Sequence, residues 1–238
     1  MRNVPALALR EMNSLFFSPL IYTLLTALLI FAAFFFCAVV AEHGEATITV
    51  GALTRLLNFF FLVGTPMLTM RLLSEEYRSG NIECLMTAPV TDGEVVIAKF
   101  LGALALYVCL LAPTLLFHFI LEWLGSPDWG IVISAYVGLT LMGFQFVALG
   151  VFCSALTRNQ IVAAMLALVV QLSLWLLGPV GESIPGHLGD LARYAGAVEH
   201  LNPFMEGRIA FRDVAYFLTL GCFWLFLAVR ALESKRWR

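Results

Sequence analysis

Residues 19–41 read "PLIYTLLTALLIFAAFFFCAVVA", 23 residues without one charged side chain. A helix rises 1.5 Å per residue, so this run reaches about 35 Å, enough to cross a hydrocarbon core about 30 Å thick. Arg2 and Arg10 precede it and Val39-Val40-Ala41 has the small-residue character of a cleavage site. The run is nevertheless longer than the apolar core of a signal peptide, so it reads as a retained span. One such stretch assigns the chain to the membrane, and the surrounding sequence agrees.

Of the 238 residues, 61% are hydrophobic and only 13% charged, far from the balance of a water-soluble domain. Working outward, five more segments of spanning length occur at 50–70, 98–121, 130–152, 160–180 and 213–231. Arg55, Arg212 and Arg230 fall near the ends of the second and sixth, where long side chains snorkel to the headgroups. Gly64 and Pro66 should bend the second span and Pro113 the third, because proline removes a backbone hydrogen bond. The fold class is therefore an all-α integral membrane protein with six transmembrane helices in a single domain.

Before the first span, residues 1–18 place Val4, Leu7, Ala8, Met12, Leu15 and Phe16 at helical spacing among Arg2, Arg10, Glu11 and Asn13. That pattern predicts a helix lying on membrane lipid in the interface. With both termini inside, Arg2, Arg10, Arg71, Arg78, Lys99, Arg158, Arg230, Lys235, Arg236 and Arg238 lie on the cytoplasmic side. Only Arg55, Arg193, Arg208 and Arg212 lie outside. The positive-inside rule selects this orientation.

The inner connection, residues 71–97, is longer than a simple joint requires. Arg71 and Glu75 form a favourable i, i+4 pair, and Leu72, Leu73, Tyr77, Ile82, Leu85 and Met86 recur near helical spacing. Gly80-Asn81 interrupts this pattern and Ala88-Pro89 ends it, so two short helices are expected. Thr91 with Glu94 forms a capping box, and Val90 with Val95 a hydrophobic staple, together marking the start of the third span. An apolar stripe with fixed charges suits docking to a soluble protein, the plainer reading being a helix packed on headgroups.

Other chemistries find little support. A net charge of −2 without a basic patch argues against nucleic acid. The five cysteines, at 37, 84, 109, 153 and 222, form no CxxC pair and read as small apolar residues. No GxxxxGK[ST] cradle is present, so ATP is not bound by that route, and no GxSxG or HExxH suggests a hydrolase. Only Arg55, His118 and Glu122 are ionisable near membrane depth, whereas an ion-driven carrier would place acids near the midplane. Glu42, His43, His187, Glu199 and His200 share the outer side and offer metal-ligand chemistry, but at spacings that match no metal motif.

Two further regions carry a resemblance. "EEYRSGNIECLMTAPVTDGEVVIAKFLGAL" from residue 75 and "HLNPFMEGRIAFRDVAYFLTL" at 200–220, followed by "RALESKRWR", resemble the permease subunits of ABC-2 type exporters. The branch they most resemble is that of the gliding-motility-associated ABC permease. Asn81, Cys84 and Met86 depart from that branch, which shows Thr and Leu-like residues there. The resemblance implies an elbow helix at 1–18 and a coupling helix within 71–89 that docks a separate cytoplasmic ABC ATPase. Arg71, Glu75, Glu76, Tyr77, Arg78, Gly80, Glu83, Leu85 and Pro89 would form that docking element. It further implies a second permease, as homodimer or heterodimer, residence in the plasma (cell inner) membrane, ATP-Mg in the partner and no cofactor or catalysis in this chain.

Within the spans, Gln145 and Gln171 are candidates for lining a path. Ser134/Gly138, Ala163/Ala167, Gly102, Gly143 and Gly150 are candidates for close helix approach. The outer connection, residues 181–212, is expected to hold short helices at 187–198 and 203–211 that resemble an outer gate. Arg208, Arg212 and Asp213 would form a charge cluster at the start of the sixth span. The alternatives to a permease are a membrane scaffold without its own path and a metal-dependent membrane enzyme.

Overall fold

The computed structural model describes residues 4–43, 46–79 and 91–236. These residues form α1 (Val4–Phe16), α2 (Pro19–His43), α3 (Ala46–Thr69), α4 (Ser74–Ser79), α5 (Asp92–Leu111) and a 3-10 turn at Ala112–Thr114. The chain continues as α6 (Leu115–Leu124), α7 (Trp129–Leu156), α8 (Gln160–Ser183), α9 (His187–Ala195), α10 (Ala197–Met205) and α11 (Phe211–Arg236). Among the described residues there is no strand, and six helical stretches are long and apolar enough to cross a membrane. They are Pro19–Glu42, Thr49–Arg78, Asp92–Trp123, Trp129–Leu156, Gln160–Ser183 and Phe211–Lys235. The protein is multi-pass, with both ends of the described chain at one end of the bundle, here the terminal end.

Helix α7 is the axis, touching α3, α5, α8, α10 and α11. Its glycines explain how so many partners approach. A Cβ on Gly143 would overlap the Tyr107 ring of α5, one on Gly150 would overlap Thr69 of α3, and one on Gly138 would lie 2.7 Å from Phe204 Cβ of α10. Each bare stretch of α7 backbone thus receives a side chain from a different helix, as membrane packing favours where no hydrophobic effect draws helices together. Around this axis runs one continuous core in which Tyr107, Phe146, Phe204 and Phe217 are buried. Helices α2, α8 and α11 are largely exposed and present Phe34, Val169 and Phe226 outward, among other apolar residues.

Local signals set several boundaries. Thr91 accepts from Glu94 N at 3.3 Å while Glu94 Oε2 accepts from Thr91 N at 3.2 Å, a complete capping box at the start of α5. Asp128 and Asn159 cap α7 and α8 by a single bond each, accepting from Gly130 N at 2.8 Å and Ile161 N at 2.9 Å. Pro113 lies in the 3-10 turn dividing the third span. Val90, the other half of the expected staple, falls outside the described residues, as do Gly80 to Pro89 and the second expected inner helix.

Two expected boundaries shift. Helix α8 runs through Gly178-Pro179 to Ser183, and the second outer helix is Ala197–Met205 rather than 203–211. Pro203 therefore sits inside α10, where the sequence pattern placed a start. Tertiary contact outweighs the local signal here: Leu201 and Phe204 are fully buried, with Phe204 seated against Gly138.

Candidate functional site at the terminal end

The second span does not stop at Thr69. A turn at Met70–Leu73 leads into α4, and Ser154 of α7 fixes it. The Ser154 hydroxyl accepts from Leu73 N and Ser74 N, both at 3.0 Å, and donates to the Met70 carbonyl at 3.1 Å. Ser154 is fully buried, so one side chain satisfies three backbone groups at a helix break. Arg71 reaches toward Ser18 at 3.5 Å, between α1 and α2.

Beyond the turn, α4 carries Glu75, Glu76, Tyr77 and Arg78, and it divides them. Glu75 and Arg78 are exposed, whereas Glu76 turns inward to Lys99 of α5 at 2.7 Å. Lys99 also holds Glu11 of α1 at 3.0 Å and is only 3% exposed. A buried ammonium between two carboxylates is tolerable because it is opposed on both sides, and removing the lysine would leave the two carboxylates uncompensated. One lysine thus joins the N-terminal helix, the end of the second span and the start of the third. Helix α1 lies closely along α5, where a Cβ on Gly102 would come 3.0 Å from Glu11 Cβ and 3.3 Å from Met12 N.

Tyr77 faces the sixth span. Lys235 Nζ sits 4.1 Å from its ring centroid and donates to the Ala155 carbonyl at 2.8 Å. Of the residues that the sequence assigned to docking, Arg71, Glu75, Glu76, Tyr77 and Arg78 therefore lie together at the terminal end. Gly80, Glu83, Leu85 and Pro89 lie outside the described residues. Sequence reasoning missed Lys99 as their anchor, since its partners are 88 and 23 positions away and its charge entered only the orientation count.

The two glutamines are fully buried within this one chain. Gln171 of α8 donates to the Phe146 carbonyl of α7 at 3.1 Å, and its Oε1 is 3.3 Å from the Thr65 hydroxyl of α3, so it bolts three helices together. Gln145 makes no hydrogen bond at either amide atom. At the far end, Arg208 pairs with Glu206, and Arg212 Nε lies 3.4 Å from Asp213 Oδ1. Asp213 is buried against His200 at 2.7 Å, a pairing the sequence did not disclose. Among the described residues no three His, Cys, Asp or Glu side chains converge as metal ligands.

Comparison with known proteins gives this arrangement a setting. The family described as ABC-2 family transporter protein matches residues 43–216. Over 107 residues the chain is 29% identical to the probable multidrug ABC transporter permease YbhS of Escherichia coli (strain K12), covering 43% of this chain and 26% of that protein. The same protein of Escherichia coli O157:H7 matches with the same figures. The alignment thus spans about a quarter of the length of these curated relatives. The family match takes in the second to fifth spans, with α4, Lys99 and the His200–Asp213 pair, and the first residues of the sixth span, and the chain belongs to the ABC-2 family of transporter permeases.

Proposed function

We propose that this chain is the membrane-spanning permease subunit of an ATP-driven exporter in the branch of the gliding-motility-associated permeases. In this reading it pairs with a second permease, as homodimer or heterodimer, and a separate cytoplasmic ATPase carrying ATP-Mg docks on residues 71–89. Both termini face the cytoplasm of a cell whose inner membrane holds the protein. The observation that carries the coupling role is the Lys99 junction. A push delivered to α4 acts at once on α1 and α5, because Glu76, Lys99 and Glu11 are in direct contact. ATP binding in the partner would thereby bias which side of the bundle is open.

The inward turn of Glu76 divides the docking element into two kinds of residue. Glu75 and Arg78 are available to a partner, while Glu76 holds the junction. Reversing the exposed charges, Glu75→Lys with Arg78→Glu, should reduce capture of the ATPase about tenfold and leave thermal stability of the permease unchanged. Co-purification of the two subunits measures the first and thermal unfolding the second. Undiminished capture, also when Glu83→Lys is added, would remove the docking assignment.

A further inference from the structure

At the far end, α9 and α10 form a cap bracketed by two glycines in the left-handed region, Gly186 at φ 88° and Gly207 at φ 80°. Against α8 and α7 the cap is held by close packing. A Cβ on Gly196 would come 2.5 Å from Gly178 N, and Phe204 sits on Gly138. Its attachment to α11 joins the contact of the buried Phe204 and Phe217 rings, at 6.5 Å, to a set of polar bonds. His200 Nδ1 lies 2.7 Å from Asp213 Oδ1, with neither side chain more than 2% exposed. The His200 ring stacks on Tyr216 at 3.9 Å, and the Tyr216 hydroxyl donates to the Ala195 carbonyl at 2.7 Å.

Hydrogen-bond chemistry sets the proton count of this pair. His200 Nε2 is 2.9 Å from the Tyr194 carbonyl, which can only accept, so Nε2 carries a hydrogen. Nδ1 then either donates to the carboxylate of Asp213 or accepts from its protonated form. Both descriptions place one proton between the two atoms and leave the pair neutral. Without it, a lone pair would face a carboxylate oxygen at 2.7 Å and a net negative charge would be buried, so the contact would part.

The geometry points to a proton-binding latch. The proton shared by His200 and Asp213 ties the cap to α11, and its release to water unties them. A cavity of about 310 Å³ lies beside the pair, lined by Asp190, Arg193, Tyr194, Glu199, His200 and Arg212. The charged and titratable groups facing the latch are thus Asp190, Arg193 and Tyr194 from α9, Glu199 from α10, and Arg212 and Tyr216 from α11. Asp190 and Arg193 pair with each other at 2.6 Å, and Arg212 Nε lies 3.4 Å from Asp213 Oδ1. That the latch samples the medium outside the cell rests on the orientation proposed above; the latch itself does not.

Spin labels at Leu191→Cys on the cap and Leu218→Cys on α11, both exposed positions, would read the separation in the full chain in nanodiscs, with the native cysteines replaced. From acid to alkaline buffer, the population at longer separation should rise by about tenfold as the shared proton is lost. In Asp213→Asn the amide N–H donates to Nδ1 without a proton that titrates in this range, so the distribution should stay short at every pH. In Asp213→Ala the long population should be present at every pH. A wild-type distribution that ignores pH would overturn the latch, as would an Asp213→Asn distribution that shifts like the wild type. Should Asp213→Asn not fold, ring nitrogen NMR of wild-type His200 decides, since titration without a change in separation refutes the proposal. None of these readouts involves the ATPase, so failure of docking and failure of the latch are separate results.

Discussion

At the scale of single residues, two buried polar side chains predict opposite signs. Lys99→Met strands Glu11 and Glu76 beside an apolar neighbour. Full burial of such a pair makes its rupture cost about 3–5 kcal/mol; these carboxylates are 23% and 20% exposed, so about 2–3 kcal/mol is expected as a lowered unfolding temperature in detergent. Adding Glu11→Gln and Glu76→Gln should recover most of it. Gln145→Met, by contrast, replaces an amide with no hydrogen bond by an apolar chain of similar length, and should raise stability by about 1–3 kcal/mol. If transport falls while stability rises, Gln145 serves the path and not the packing. Gln171→Leu should lower stability by about 1 kcal/mol, because it removes bonds between helices.

At the scale of elements, the sequence was most legible where structure is local. Thr91 and Glu94 lie three positions apart, and their reciprocal bonds follow from spacing alone. Thr91→Ala should cost about 1 kcal/mol and fray the start of α5, seen as faster amide exchange over the first turn. The apolar spacing of residues 4–16 likewise marked α1. What spacing could not convey was that α1 would settle on Gly102, a contact between segments nearly a hundred residues apart. Gly102→Leu should lift α1 from α5 and raise protease cleavage near Ser18, with the spans intact. The same limit applies to α10: Asn202-Pro203 has the composition of a turn, and burial of Leu201 and Phe204, both seated against the bare backbone at Gly138, makes a helix through it favourable. Lys99 and the His200–Asp213 pair escaped notice for this reason also, since a charge's partner is set by the packed bundle and not by its neighbours in the chain.

At the scale of the whole molecule, length and apolarity sufficed for six spans, and charge counting offers an orientation open to direct measurement. A fluorescent protein fused after Arg238 should fold and fluoresce, and alkaline phosphatase inserted at Gly186 should be active only if that loop faces outward. The reverse pattern would overturn the orientation and leave the packing untouched. The exposed apolar faces of α2, α8 and α11 contact lipid in a lone subunit, and the proposed second permease would cover part of that area. Cysteines at Phe34 and Val169 that cross-link between copies would locate the shared face, and cross-linking only to a different permease would indicate a heterodimer.

The central place of α7 also bears on how the protein is made. Because α7 leaves the ribosome after α3 and α5, it finds them already in the membrane to cover Gly150 and Gly143. The niche at Gly138 awaits α10, and Phe144 awaits the bare backbone of Gly221 in α11, the helix with which α7 shares its most extensive contact. A nascent chain halted before residue 211 therefore holds its axis uncovered on one side, in lipid, for as long as α11 is delayed. Chaperones or membrane proteases that inspect unfinished bundles would meet this protein there, and completion of the sixth span is the event that hides it from them.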